Sequence, residues 1–134
     1  MKKMIVFYTL ACICIVGCKK EEVYETGVIA GTIYLIEGDC FLGPQSECDI
    51  TTNLYPTTVV ISKPTLTYNE NEVVSKIETD NNAFFRDTLP VGEYTVFILY
   101  KKENTYVCFD NCTPLVVKPN TKITIEGEIY RVTQ

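Results

Sequence analysis

The sequence contains no histidine and no tryptophan among its 134 residues. Without an imidazole the chain has no Ser-His-Asp or Cys-His catalysis and no His-ligated metal site. The lack of tryptophan weakens the case for sugar binding by stacking, although nine tyrosines remain. Helical spacing of apolar residues is also missing beyond the first residues, which argues against a helical fold.

Basic residues are few, since 12 Lys and Arg stand against 17 Asp and Glu, for a net charge of −5. Loss of Lys2 and Lys3 with a cleaved leader would leave 10 basic against 17 acidic residues, a net charge of −7. Proteins that bind nucleic acid present basic faces. We therefore expect no nucleic-acid partner.

The first residues have the pattern of an export signal. Two lysines precede an apolar run over residues 4–16, which is too short to span a bilayer comfortably. The run ends in IVGC at residues 15–18, which resembles a bacterial lipobox. We predict a lipoprotein signal peptide over residues 1–17 and attachment of diacylglycerol and a further acyl chain such as palmitate at Cys18. The alternatives are an uncleaved anchor helix and a plain secretory signal.

A charged tether, residues 18–26, follows the predicted anchor and contains KKEE at residues 19–22. The residue after Cys18 is Lys rather than the Asp that retains enteric lipoproteins in the inner membrane. A Lys followed by two acids resembles the tag that exports some Gram-negative lipoproteins to the cell surface. We predict an outer-membrane lipoprotein exposed on the surface, with a periplasm-facing protein as the alternative.

The rest of the chain consists of short runs rich in β-branched and aromatic residues, separated by turn residues. The runs lie at residues 27–36, 56–62, 72–79, 83–88, 93–101, 105–109, 114–118 and 121–132, and residues 37–55 read as a long loop. About seven short strands at this spacing are typical of a β-sandwich.

Residues 79–99, TDNNAFFRDTLPVGEYTVFIL, carry a more specific pattern. The order Thr-Asp-x-Asn, an aromatic residue, then Leu-Pro-x-Gly-x-Tyr-x-Val resembles the carboxypeptidase regulatory-like (transthyretin-like) domain. The resemblance implies an all-β fold, a seven-stranded antiparallel Greek-key β-sandwich of the prealbumin or immunoglobulin type over residues 27–132, behind the signal helix. The family supplies a fold and no chemistry. The usual turn glycine is replaced around Asn82-Ala83, and we expect Asn82 to take its left-handed conformation.

The strand over residues 93–101 is apolar on both alternating sets, so we expect it to be central. We predict that one set faces inward together with residues of two other strands: Tyr94, Val96, Ile98, Val59, Ile61 and Phe84.

Four cysteines remain after processing: Cys40, Cys48, Cys108 and Cys112. An even number in an exported chain predicts disulfides, and the spacings do not match the tight knuckles of a zinc site. All three pairings are open, because an up-and-down strand order places both cysteine loops at one end of the sandwich. We predict the local pairs Cys40–Cys48 and Cys108–Cys112, since short loops close at the lowest entropy cost.

The same loops are the predicted recognition site, because binding residues often lie in loops on a rigid scaffold. Equally, their residues can simply cover the end of the sandwich. The candidates are Asp39, Phe41, Leu42, Gln45, Glu47, Asp49, Phe109, Asp110 and Asn111.

The sequence therefore predicts a membrane-anchored, non-enzymatic lipoprotein that displays a binding, adhesion or structural module, with a protein or glycan ligand and no cofactor or metal. One alternative is a small hydrolase that uses carboxylates such as Asp39, Glu47 and Asp49. Another is an accessory subunit of a larger envelope complex. A Lys–Asn isopeptide staple would need a lysine in residues 27–36, which have none, and the acids lack the ordered spacing of a calcium loop.

Overall fold

Nine runs of extended chain form strands in the computed structural model, which describes residues 25–38 and 49–132. The strands are β1 (Thr26–Gly38), β2 (Ile50–Leu54), β3 (Thr58–Ser62), β4 (Val73–Glu78), β5 (Phe84–Pro90), β6 (Gly92–Tyr100), β7 (Thr105–Cys108), β8 (Leu115–Val117) and β9 (Lys122–Val132). Short 3-10 turns lie at Glu70–Glu72 and Phe109–Cys112.

The first sheet is built around β1. Along one side, residues Val28 to Gly38 of β1 pair in parallel with the whole length of β9. Along the other side it pairs antiparallel with β5 near its start and with β2 near its end. β9 is therefore one edge of this sheet, and β5 and β2 together form the other.

The second sheet is built around β6, in the order β4-β3-β6-β7, with β8 also paired to β6. β7 and β8 lie end to end on the same side of β6, where Phe97 is opposite Cys108 and Tyr94 is opposite Leu115. The disulfide loop, residues 108–112, thus lies beside the middle of β6.

The two sheets confirm the predicted all-β sandwich, with two differences from the expected seven antiparallel strands. β2 forms inside the expected long loop. All five of its residues are exposed, and among the described residues it is held by the backbone ladder to β1 and by the Thr51 hydroxyl, which donates to the Glu37 carbonyl at 3.4 Å. The β1–β9 pairing is parallel, because the chain crosses from the second sheet to the first after β8 instead of returning by a hairpin.

The main core lies between the sheets. Its members from β3 and β6 include the predicted Val59, Ile61, Tyr94, Val96 and Ile98, and also Tyr100, all no more than 7% exposed. Gly127 of β9 completes it, since a Cβ there would lie 2.6 Å from Ile98 Cδ1. β6 is central as predicted.

The predicted core position of Phe84 is wrong by one residue. Phe84 is 38% exposed, whereas its neighbour Phe85 is 2% exposed and belongs to the main core. The preceding turn sets this register. Ala83, not Asn82, takes the left-handed conformation, with φ 58°, and its buried carbonyl accepts from the amide of Ile33. Asp80 holds the turn by accepting from the amides of Asn82 and Phe84.

A second apolar group, the outer cluster, covers the opposite face of the second sheet. Its buried members are Val60, Phe97 and Cys112, and residues of the segment before β4 fold back over them. Tyr68 provides the cover, stacking on Tyr106 with ring centroids 3.8 Å apart and meeting Phe97 edge-on at 5.7 Å. β6 is buried on both faces for this reason.

The predicted signal peptide, the predicted lipid attachment site Cys18 and the charged tether up to residue 24 lie outside the described residues. No helix in the described ranges is long and apolar enough to cross a membrane.

Candidate functional site

The exposed edge of β9 is the first component of the site. Within residues 25–38 and 49–132, β9 pairs only with β1. The amide of Val28 donates to the carbonyl of Thr121 at 2.9 Å. Since backbone direction alternates along a strand, the odd-numbered residues of β9 turn their N–H and C=O groups toward β1. The backbone groups of Thr124, Glu126 and Glu128 therefore point away from the sheet.

Side chains on β9 alternate in the same way. Ile125, Gly127 and Ile129 are buried against the main core. Glu126 and Glu128 are exposed on the outer face of the first sheet. The strand thus combines an apolar inner face, an acidic outer face and an open backbone edge.

The disulfide loop is the second component. A disulfide joins Cys108 to Cys112 across a sequence separation of 4, which confirms that predicted pair. Asp110, Asn111 and Cys112 have φ of 49°, 54° and 65°, a conformation that costs roughly 1–2 kcal/mol per non-glycine residue. The bridge and a bond from the Thr113 amide to the Asp110 carbonyl hold the loop in this shape.

The loop reaches both apolar groups of the molecule. Phe109 is half-buried and packs on the main core, whereas Cys112 is buried in the outer cluster. The Cys112 sulfur lies 3.3 Å from the carbonyl oxygen of Leu66, a packing contact, because a disulfide sulfur has no proton to donate. The loop therefore wraps the edge of the second sheet at mid-length. The expectation that it lies at the end of the sandwich is wrong, because β7 is only four residues long.

Between these components runs an open channel, which we name the edge groove. It consists of two adjoining clefts of about 450 and 460 Å³ that share Val107 and Tyr130. The first cleft is lined by β9 residues and the disulfide loop: Cys108, Phe109, Asp110, Asn111, Glu126 and Glu128. The second, nearer the Gly38 end of β1, is lined by Tyr100, Lys102, Glu103, Thr105, Ile129 and Arg131.

The two clefts differ in charge. The first contains three carboxylates, Asp110, Glu126 and Glu128, and no basic residue. The second contains two cations, Lys102 and Arg131, and Arg131 pairs with Glu37 of β1 at 3.4 Å. The hydroxyl of Tyr130 donates to the carboxylate of Glu128, which raises the pKa of that tyrosine. The groove is thus acidic at mid-length and mixed toward its far end.

Chemically, the groove offers backbone donors and acceptors, carboxylates and an apolar wall, which suit binding. In the part of the chain that the structure describes, no three acidic or cysteine side chains are arranged to hold a metal ion. A perturbed tyrosine also lies away from the groove, at Tyr68 in the outer cluster. Its pKa is raised to about 12 by burial and by its hydrogen bond to Glu70.

The predicted recognition residues are only partly brought together. Asp49, Asp110 and Asn111 are exposed, whereas Phe109 is half-buried on the core. Asp49 directly precedes β2, and the other two lie in the disulfide loop. The remaining candidates and the second predicted pair lie outside the described residues: Asp39, Phe41, Leu42, Gln45, Glu47, Cys40 and Cys48.

Sequence reasoning missed the contribution of β9 to the groove. The alternation ITIEGEIY at residues 123–130 does indicate one apolar and one acidic face. The open edge itself follows from the pairing with β1, a strand about ninety residues earlier, and no local pattern reports it.

The chain has a distant likeness among proteins of known structure. No protein-family model matches the chain, and no curated protein matches it. Among solved structures the chain is similar to GBS52, the minor pilin of the Gram-positive pathogen Streptococcus agalactiae, with 14% identity and a TM-score of 0.40. The likeness covers 83% of this chain and 47% of that chain, so this chain spans about half the pilin's length. It carries no inference about function.

Proposed function

We propose that the chain is a non-enzymatic lipoprotein of a bacterial outer membrane, and that it displays its β-sandwich as a binding module whose site is the edge groove. The observation that carries the proposal is the position of the groove. Residues 126–131 of β9 are in register with Thr32 to Glu37 of β1. At about 3.3 Å per residue, this places the groove roughly 20–35 Å along the strand from Thr26.

The anchor supports this orientation. If Cys18 carries the lipid, the membrane lies on the Thr26 side, and the short tether adds up to roughly 25 Å of reach. The groove then faces away from the bilayer, where a partner has access. The KKEE tag supports the outer surface, and the same groove would serve a subunit contact if the protein faced the periplasm.

The motif at residues 79–96 supports a carboxypeptidase regulatory-like domain, a family that contributes scaffolds without chemistry. The groove supports a binding role over the hydrolase alternative. Glu126 and Glu128 are both exposed on the same face of one strand. Two exposed carboxylates side by side suit attraction of a basic ligand. Of the carboxylates named for the hydrolase alternative, Asp49 is exposed beside β2, away from the groove, and Asp39 and Glu47 lie outside the described residues.

The proposed lipid anchoring is tested with Cys18→Ser, using Cys14→Ser as the matched control. We expect the first variant to remain an uncleaved precursor that incorporates no labelled palmitate, and the control to behave as wild type. Normal processing of Cys18→Ser would contradict the lipoprotein proposal. Protease treatment of intact cells then distinguishes display on the surface from a periplasmic orientation.

The binding role is tested on a glycan and host-protein array with the full chain in detergent. Asp110→Lys reverses an exposed charge of the groove. The control, Glu93→Lys, makes the same change at an exposed residue of β6 outside the groove. We expect the array to yield ligands whose binding signal is lower for Asp110→Lys than for the wild type and is unchanged for Glu93→Lys. Equal loss in both variants, or no ligand, would contradict the edge groove as the binding site.

A further inference from the structure

We propose that the edge groove binds an extended strand of another protein, and that this strand alternates apolar and basic residues. The inference rests on the proposed function, in which the groove is the binding site. The added strand would pair with the outward backbone groups of Thr124, Glu126 and Glu128. It would extend the first sheet by one strand, a mode of recognition in which the backbone gives affinity and alternate side chains give specificity.

The open edges of the two sheets differ, and this difference singles out β9. Long unprotected edges invite pairing, and proteins normally shorten or interrupt them. β2, β4, β7 and β8 have five, six, four and three residues, and the disulfide loop separates the last two. β5 ends in Pro90 and turns Asp87 inward, with one buried carboxylate oxygen. β9 has 11 residues and contains no proline.

The walls of the groove specify the side chains of the guest strand. Val107 and Phe109 are half-buried and apolar, and they form the inner wall of the first cleft. On the outer side lie the carboxylates of Glu126 and Glu128. Since side chains of a strand alternate between faces, the guest needs apolar residues at every second position and basic residues between them.

The same carboxylates argue against a second copy of this chain as the guest. Antiparallel pairing of two β9 strands about their middle would bring Glu126 and Glu128 opposite each other. Like charges directly opposite on neighbouring strands are destabilising. A basic guest has the opposite, favourable pairing.

Hydrogen exchange of the full chain in detergent tests whether the edge is available. In the protein alone, we expect the amides of Glu126 and Glu128 to exchange at least about tenfold faster than those of Ile125 and Gly127, because only the latter are paired to β1. If Glu126 and Glu128 are already protected, the proposal is overturned. Protection that disappears on dilution would assign the edge to a second copy, and protection that persists would assign it to another segment of the same chain.

Binding is tested with a nine-residue peptide of alternating valine and lysine, and with a control peptide of the same composition in two blocks. We expect the alternating peptide to bind and to protect the amides of Glu126 and Glu128. The double variant Glu126→Gln and Glu128→Gln should lower its affinity about fivefold, as expected for two exposed ion pairs, and added salt should do the same.

Proline separates pairing from charge. Glu128→Pro removes one outward N–H that β1 does not use, so the fold should survive, while binding should fall about tenfold or more below that of Glu128→Gln. Equal binding by these two variants, or equal binding of the two peptides, would overturn strand addition. A third outcome distinguishes this inference from the proposed function. If the array yields ligands whose binding falls in Asp110→Lys but the alternating peptide does not bind, the proposed function is supported and strand addition is overturned.

Discussion

The main core and the outer cluster lie on opposite faces of the same strand, β6, and are built differently. The main core is made by strands of both sheets, with members such as Val96 and Phe85 almost fully buried. The outer cluster has three buried residues, and its cover is the irregular segment that contains Tyr68. One face is thus closed by a sheet and the other by a folded-back loop.

This difference shows why two apolar faces on one strand need not contribute equally to stability. A sheet covers its partner with many side chains in fixed register, so a change in the main core has little room to relax. The loop over the outer cluster is held by fewer contacts. Tyr68 packs on Tyr106 and Phe97, the Thr65 amide donates to the Thr95 hydroxyl at 3.2 Å, and Lys76 forms an exposed ion pair with Glu70 at 2.7 Å. We expect the outer cluster to open before the sandwich unfolds.

The largest effect is expected from a charge in the main core. Val96→Asp buries a carboxylate among apolar side chains without a partner, and we expect no cooperative unfolding transition. Val116→Asp is the matched control, because Val116 is 48% exposed. Circular dichroism during heating measures both. A melt of Val96→Asp close to wild type would contradict the inward register of β6.

Truncating one buried phenylalanine on each side compares the two clusters directly. Phe85→Ala should lower the free energy of unfolding by about 4 kcal/mol, and Phe97→Ala by about 3 kcal/mol, because the loop over Phe97 can settle into the cavity. Phe84→Ala should cost about 0.5 kcal/mol or less. Urea denaturation measures all three, and a larger loss for Phe97 than for Phe85 would reverse the ranking of the clusters.

Replacing Cys108 and Cys112 by serine tests the loop that joins the clusters. A disulfide that closes a loop this short stabilises the fold by about 2 kcal/mol, because it restricts the unfolded chain. Its loss is small enough that the sandwich should stay folded. Ligand affinity should fall more than stability, since Asp110 and Asn111 lose their fixed conformation. If reduction of the disulfide instead unfolds the whole domain, the Cys108–Cys112 bridge is required for the fold, and its proposed role in binding loses its support. Non-reducing peptide mapping also tests the predicted Cys40–Cys48 pair, which a link from Cys40 to Cys108 or Cys112 would exclude.

The smallest effect is a loss of stability in alkali that originates in the outer cluster. Burial and the bond to Glu70 raise the pKa of Tyr68 from 10.0 to about 12. The folded chain therefore holds this proton more tightly than the unfolded chain. The resulting stabilisation is complete below pH 10 and is lost as the pH rises to about 12. Between pH 10 and about 12, the Tyr68→Phe variant should lose less stability than the wild type. Denaturation at several pH values measures this difference. An equal loss would exclude Tyr68 as the cause.

Much of the fold was predictable from the sequence because its signals are local. Runs of β-branched and aromatic residues at 56–62 and 93–101 located β3 and β6, and the turn residues Pro90 and Asp80 located the ends of β5. The Cys108–Cys112 pair was also predictable, since closing a short loop needs no distant contact. Phe84 and Phe85 could not be separated in the same way, because either neighbour satisfies the alternation and the left-handed Ala83 makes the choice.

The sequence by itself determined that the chain is a β-sandwich and where most of its strands lie, and it favoured a local disulfide across residues 108–112. These properties depend on propensity, period and turn chemistry within a few neighbouring residues. Only the tertiary structure decided that β9 runs parallel to β1, that the disulfide loop lies at mid-length beside β6 and that an acidic groove opens between them. Those features arise from pairing between segments far apart in the chain, whose register the local pattern does not specify.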